Sequence, residues 1–370
     1  MGVLRLLLAL SVVLNHSYGI FKINLLGGPL AVQAFFIISG FYMSLILNEK
    51  YVQKGSYKLF ITNRFMRIYP IYAVVLIISI LFFIFNYNHP STNTNVKFFF
   101  ENPLGLTISH ISDLSFTALF VLFFSNLFIF FQDIIMFLGV DSSGNLFWTS
   151  NFRLVDLPLY KFLMIPQAWS ISLECMFYVF APFLLRRNVK IILTIIFATF
   201  FMRFITYYNG YDNDPWSYRF FPFEFGYFLV GNISYLIYKK ISVANIQIKM
   251  QWAPFLFMVG LTLIYPVIKF NGSQYLYCFC FALCLPFIFF LTKNWKFDTF
   301  LGDLSYPIYL VHIVLLALMK YLPGNLNIVF VGIIYLGSVI LASIFLNEVV
   351  SKRIETIRKN RYLNFAKKAE

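Results

Sequence analysis

The sequence predicts an all-α fold, a polytopic bundle of about ten transmembrane helices with a re-entrant or broken segment near residues 114–138. Hydrophobic residues make up 60% of the 370-residue chain and charged residues only 12%, a balance foreign to soluble domains. Apolar runs long enough to span recur near residues 4–21, 29–47, 68–86, 114–138, 168–185, 190–208, 222–238, 252–269, 274–292, 304–320 and 326–347. The 48 Phe and 24 Tyr suit lipid-facing surfaces and interfacial belts. The net charge of +14 sits between these runs and in the tail SKRIETIRKNRYLNFAKKAE. That placement points to membrane orientation and anionic lipid headgroups, with no nucleic acid implied.

The first run, MGVLRLLLALSVVLNHSYGIF, carries Arg5 and His16. At about 100° per residue their eleven-residue separation returns to within about 20°, so both share one face, about 16 Å apart. Ionisable groups in a bilayer mark substrate or proton routes; a snorkelling Arg5 and a packed His16 are the alternative. The run resembles a secretory signal, but the usual small-residue cleavage site is missing, which predicts a retained helix. After the second run, Lys50, Lys54, Lys58, Arg64 and Arg67 place the loop in the cytoplasm. The third run opens NRFMRIYPIY, and Arg64 and Arg67, three apart, share a face at that boundary. Two guanidinium forks suit a phosphate-bearing ligand, with positive-inside anchoring as the alternative.

His89 and His110 in the 87–113 loop are expected to be solvated. Next, FTALFVLFFSNLFIFFQDIIMFLG raises a parity conflict. Arg186, Arg187, Lys190, Lys239, Lys240, Lys249 and the tail are all assigned to the cytoplasm, so the crossings must be even in number. The 114–138 segment, with Asn126 near its middle, is therefore the one expected to break, covered by protein or lining a cavity; an extra crossing within 88–112 is the alternative. The fifth run, WSISLECMFYVFAPFLL, places Ser170, Glu174 and Tyr178 on one stripe at four-residue steps. A carboxylate buried there must be paired, with Arg219 or Arg153 as structural candidates, or protonated. Asp212 and Asp214 leave the 209–218 loop acidic and outside. In YRFFPFEFGYFLVG, Arg219 and Glu224 flank the outer start of the seventh segment, as interface anchors or ligand contacts. In LGDLSYPIYLVHIVLL, Ser305, Tyr309 and His312 share a face, and a hydrogen bond from His312 to Tyr309 or a carbonyl is the structural alternative. The four cysteines, Cys175, Cys278, Cys280 and Cys284, lack metal spacing and are expected in the core. HExxH, GxSxG and Walker patterns are absent, so neither a metal site nor a serine triad is supported.

Taken in order, these segments resemble the membrane-bound acyltransferase-3 family, bacterial proteins that acylate polysaccharides and lipid-linked sugars, most often with O-acetyl. RLLLALSVVLNHS resembles its first-helix motif and would put the family's essential pair on Arg5 and His16. AVQAFFIISGFYMS resembles its second helix around Ser39 and Gly40, and NRFMRIYP its RxxR motif at Arg64 and Arg67. WSISLE resembles the signature ending at Glu174, while RFFPFEFGYFLVG and LGDLSYPIYLVH resemble the late motifs, closed by His312. Gln33 stands where many members have an acid, and Cys175 where many have a second glutamate.

The resemblance implies an acyltransferase-like membrane domain over 1–350 and a basic cytoplasmic tail over 351–370, in a bacterial inner membrane with both termini inside. It implies an O-acyltransferase with acyl-CoA, above all acetyl-CoA, as donor and no tightly bound cofactor. The acceptor would be a glycan or lipid-linked sugar, and membrane lipids would be its surroundings. On this reading His16 and Glu174 are catalytic, His16 as general base. Arg5, Arg64 and Arg67 bind the donor, and His312, Tyr309 and Arg219 line the acceptor side, with the 114–138 segment walling the shared cavity. Direct transfer and a covalent histidine relay are both open. A polysaccharide exporter or secondary transporter is the rival, disfavoured by the missing internal repeat and the missing chain of acids; a structural scaffold is a third reading.

Overall fold

A computed structural model describes residues 1–91, 102–243, 252–268 and 270–367. Lys249 and the middle of the 88–112 segment, both used in the topology argument, lie outside the described residues. The helices in chain order are α1 (Gly2–His16), α2 (Tyr18–Phe21), α3 (Gly28–Glu49), α4 (Tyr57–Asn88), α5 (Pro103–His110), α6 (Phe116–Phe128) and α7 (Gln132–Ile135). A hairpin of β1 (Leu138–Val140) and β2 (Leu146–Trp148) follows. Then come α8 (Trp169–Leu184), α9 (Val189–Tyr208), α10 (Phe221–Val243), α11 (Trp252–Ile268), α12 (Ser273–Thr292) and α13 (Lys296–Leu318). The last are α14 (Ile328–Leu346) and α15 (Lys352–Lys367), joined by a π-helical turn, Asn347–Ser351.

The chain is an all-α, multi-pass membrane protein. Among the described residues, α3, α4, α9, α12, α13 and the continuous α14–α15 rod are long and apolar enough to cross a membrane, while α1, α6 and α11 are shorter apolar helices. Nine of the eleven predicted runs each hold one α-helix, the first run divides into α1 and the short α2, and the 114–138 run is broken. The break falls where Ile129 and Phe131 adopt positive φ, 72° and 65°, a conformation that ends a helix of L-residues. Protein groups satisfy the freed backbone, as a low-dielectric setting demands. Tyr72 donates to the Asn126 carbonyl at 2.5 Å, Gln132 Nε2 donates to the Ser125 carbonyl at 3.0 Å, and Asn126 Oδ1 accepts from Met164 N–H at 2.8 Å. The β-hairpin was not anticipated by the sequence reading. Asp141 closes its turn by accepting from Ser143 and Asn145 N–H, both at 2.9 Å.

Lipid tails offer helices no hydrophobic reason to associate, so close backbone contact and buried polar pairs must hold the bundle. Both appear where α10 crosses α3. A Cβ added to Gly40 would stand 1.8 Å from the Phe228 carbonyl oxygen, and one on Gly231 would stand 2.0 Å from that of Ile37. Beside this crossing, Arg203 of α9 pairs with Glu224 of α10 at 3.1 Å, and Gln33 of α3 donates to the same carboxylate at 3.2 Å. Glu224 is fully buried, so it ties three helices together and is no interface anchor. At the other side of the bundle, Asp298 of α13 accepts from the Gly2 and Val3 N–H groups at 2.7 and 2.9 Å. It thereby caps donors that α1 cannot satisfy internally. Finally, α15 packs against α4, where Arg361 Nη2 donates to Thr62 Oγ1 at 3.0 Å.

Candidate active site

Three adjoining cavities run through the bundle from the end bearing the Lys/Arg-rich loops to the end bearing the hairpin. The central one is lined by Arg5, Arg64, Arg67, Ser39, Tyr42, Glu174, Tyr178 and Tyr309. Arg5, Arg67 and Tyr306 also belong to a cavity of about 330 Å³ at the basic end, closed by the α14–α15 junction. Val32 and Tyr309 also belong to a cavity of about 410 Å³ at the hairpin end, which contains His16, Arg219 and Trp169.

The helical register of α1 accounts for much of this. Arg5 faces the two cavities nearest the basic end and His16 the cavity at the hairpin end, about 16 Å farther along the same face. Gly302 of α13 makes room for the arginine, since a Cβ there would sit 3.2 Å from Arg5 Nη1. Arg64 and Arg67, one turn apart on α4, join Arg5 in the central cavity. Arg64 is buried with its Nε unpartnered, whereas Arg67 is exposed to the cavity. Among the described residues, no ion pair neutralises Arg5, Arg64 or Arg67. Three guanidinium groups converging with none of them in an ion pair form an anion-binding wall.

Glu174 lies on this central wall, not with His16 at the hairpin end. It accepts from Ser39 Oγ at 2.7 Å and from the Tyr178 hydroxyl, so neither Arg153 nor Arg219 is its partner. Arg219 is occupied instead by Asp214, through Nε at 2.6 Å and Nη2 at 3.2 Å, and it lies over the Trp169 ring at 4.5 Å. Arg153 reaches the same aspartate at 3.5 Å. Tyr309 forms the partition between the central and hairpin-end cavities. It donates to the Gln167 carbonyl at 2.7 Å, which leaves Ser170 Oγ to donate to it at 2.6 Å.

His312 does not line the acceptor side as expected from the sequence; it is completely buried behind His16. Its Nδ1 faces the Tyr309 carbonyl at 2.7 Å, and its Nε2 lies 3.1 Å from His16 Nδ1. A carbonyl only accepts, so His312 Nδ1 carries hydrogen. His16 Nδ1 lies 3.1 Å from the Val12 carbonyl, which likewise only accepts, so it too carries hydrogen and His312 Nε2 accepts from it through its lone pair. The hydrogen-bond chain therefore fixes His16 as the tautomer whose basic nitrogen is Nε2.

The 114–138 segment contributes only Met136 to these three walls. Its polar groups are engaged by Tyr72, Met164, Ser172 and each other, and Asp133, Ile134 and Phe137 line a separate cavity of about 720 Å³. Sequence reasoning missed Arg203, Gln167 and Tyr42. A single arginine inside the apolar run VKIILTIIFATFFMRFITYY was the available signal for the first.

No protein of curated function and no solved structure matches the chain. The acyltransferase domain of the acyltransferase-3 type matches residues 1–347, from α1 through α14, with every cavity residue in that range. With the arginine wall, the carboxylate and the oriented histidine all inside that match, the chain belongs to the acyltransferase-3 family of membrane acyltransferases.

Proposed function

We propose that the protein moves an acyl group, acetyl, from cytoplasmic acyl-CoA to a sugar hydroxyl of an envelope polysaccharide or its lipid-linked precursor. The observation that carries this reading is the order of groups along one passage. Unneutralised arginines stand at the basic end, and a tautomer-fixed imidazole stands about 16 Å further along α1. A donor anchored by phosphates needs a long arm to bring its acyl carbon to such a base, and a coenzyme A thioester has that shape. The basic end is assigned to the cytoplasm by the positive-inside rule.

In this mechanism Arg64 and Arg67 hold the donor's phosphates as bidentate forks, with Arg5 beside them. His16 Nε2 takes the proton of the acceptor hydroxyl as its oxygen attacks the thioester carbonyl. The new C–O bond forms, the C–S bond breaks, and the proton returns to the departing sulfur. Glu174, held by Ser39 and Tyr178, orients the donor arm in the central cavity, while Tyr309 and Arg219 contact the acceptor. His312 positions His16. The test is purified protein in nanodiscs with acetyl-labelled acetyl-CoA and glycan from the producing cells. Labelled ester should form, and His16→Ala should reduce its rate about 100- to 10,000-fold, the usual effect of removing a general base. A well-folded His16→Ala protein with near-normal transfer overturns the assignment, and absence of any ester with wild-type protein favours a transporter.

A further inference from the structure

The C-terminal helix α15 lies beyond the residues that match the family, and it closes the basic-end cavity. Arg361 and Tyr362 fasten it: Arg361 donates to Thr62 on α4, and Tyr362 packs edge-on against Tyr51 with ring centroids 5.8 Å apart. One turn earlier on the same face, this anchoring turns Arg358 inward. Arg358 is only 6% exposed although it sits in a strongly polar helix, and its Nε has no partner. Its Nη1 pairs with Glu355, whose side chain is 61% exposed. Arg358 shares the cavity wall with Arg5, Arg67 and Lys352, against the acids Asp303 and Glu355, and Lys352 is paired on the exposed side with Glu348. Positive charge is thus concentrated, buried and incompletely paired, an arrangement that a bound anion relieves.

Resting on the acyl-CoA reading above, we infer that Arg358, with Lys352 beside it, binds the phosphomonoester at the nucleotide end of the donor. The order of the passage assigns the phosphate. The acyl arm points toward His16, the diphosphate lies between Arg64 and Arg67, and the ribose 3′-phosphate comes to rest farthest out, against α15. An anionic lipid headgroup offers the same chemistry from the bilayer.

The experiment compares binding of coenzyme A and 3′-dephospho-coenzyme A to the full-length protein by calorimetry. Wild type should prefer coenzyme A by about ten- to a hundredfold, the range for a hydrogen bond to a charged group. Arg358→Gln should abolish that preference and leave the affinity for the dephospho form unchanged. Arg358→Lys should restore part of it, as a point charge in place of a fork. The affinity ratio is independent of the fraction folded, so a less stable variant still reports. An unchanged ratio overturns the inference and leaves the donor reading standing, as does equal weakening of both ligands. If phosphatidic acid competes with coenzyme A in wild type and the ratio is again unchanged by the substitution, the headgroup is the occupant and the inference fails. If wild type binds neither nucleotide, the acyl-CoA reading falls and this inference with it.

Discussion

His16 and His312 are 296 residues apart in sequence and 3.1 Å apart in the fold, and their contact decides on which nitrogen His16 carries its hydrogen. The register that aligns Arg5 with His16 was legible from helical arithmetic alone. The partner of His16 was not, because only the packing of α13 on α1 brings the second ring in. The Glu174 partners were missed for a related reason. Asp214, five residues before Arg219, claims that arginine locally and leaves Ser39 of a distant helix to serve the carboxylate. If His312 acts through His16, His312→Leu should lower kcat about 10- to 100-fold, the range for groups that orient a functional histidine. The KM for acetyl-CoA should stay unchanged, and His312→Gln, which keeps an acceptor, should lose less. A parallel rise in KM would place His312 in donor binding instead. Replacing Arg64 or Arg67 with Ala should weaken acyl-CoA binding by about 1.5–3 kcal/mol. Lysine at both positions should rescue this only in part, as titration calorimetry would read. Full rescue would reduce their role to positive charge.

At the scale of elements, the bundle depends on a few polar contacts that composition concealed. Arg203 looks like one stray charge on a lipid-facing helix, yet it meets Glu224 inside the bundle. Arg203→Met should leave Glu224 buried and uncompensated, lowering stability by about 3–5 kcal/mol. The double replacement of Arg203 and Glu224 by Met should recover most of that loss, measured as the thermal unfolding midpoint in detergent. If the double variant is no better than the single, the pair is not coupled as described. The breaking of the 114–138 run followed from charge parity, but the hairpin after it did not, since its strands are three residues each and too short for a periodic signal. The cysteines divide as well: Cys175 and Cys278 are buried as expected, whereas Cys280 and Cys284 are half-buried on α12. An apolar stretch shows that a residue is in the membrane, not which side of its helix meets protein.

For the whole molecule, sidedness is the claim on which the route from donor to acceptor depends. Lys54 and Asp212 are both exposed, on loops at opposite ends of the bundle. In a chain with Cys280 and Cys284 changed to Ser, Asp212→Cys should react with a membrane-impermeant maleimide added to intact cells. Lys54→Cys should react only after permeabilisation. Labelling of both from one side would reverse or dismantle the ten-span arrangement, and the assignment of coenzyme and glycan to opposite ends would go with it. The overall plan was readable because hydrophobic length and loop charge are local quantities. The course of the cavities was not, because it depends on which helix faces turn toward one another. The partition between the central and hairpin-end cavities has one more consequence. A wet passage from one face of a bilayer to the other would short-circuit ion gradients, and the arginine-lined half would invite anions through. Tyr309, clamped by Gln167 and Ser170, and Val32 stand where the two chambers meet. On the proposed function, the same tyrosine is thus the insulation by which a thioester would be presented across a membrane while its voltage is kept.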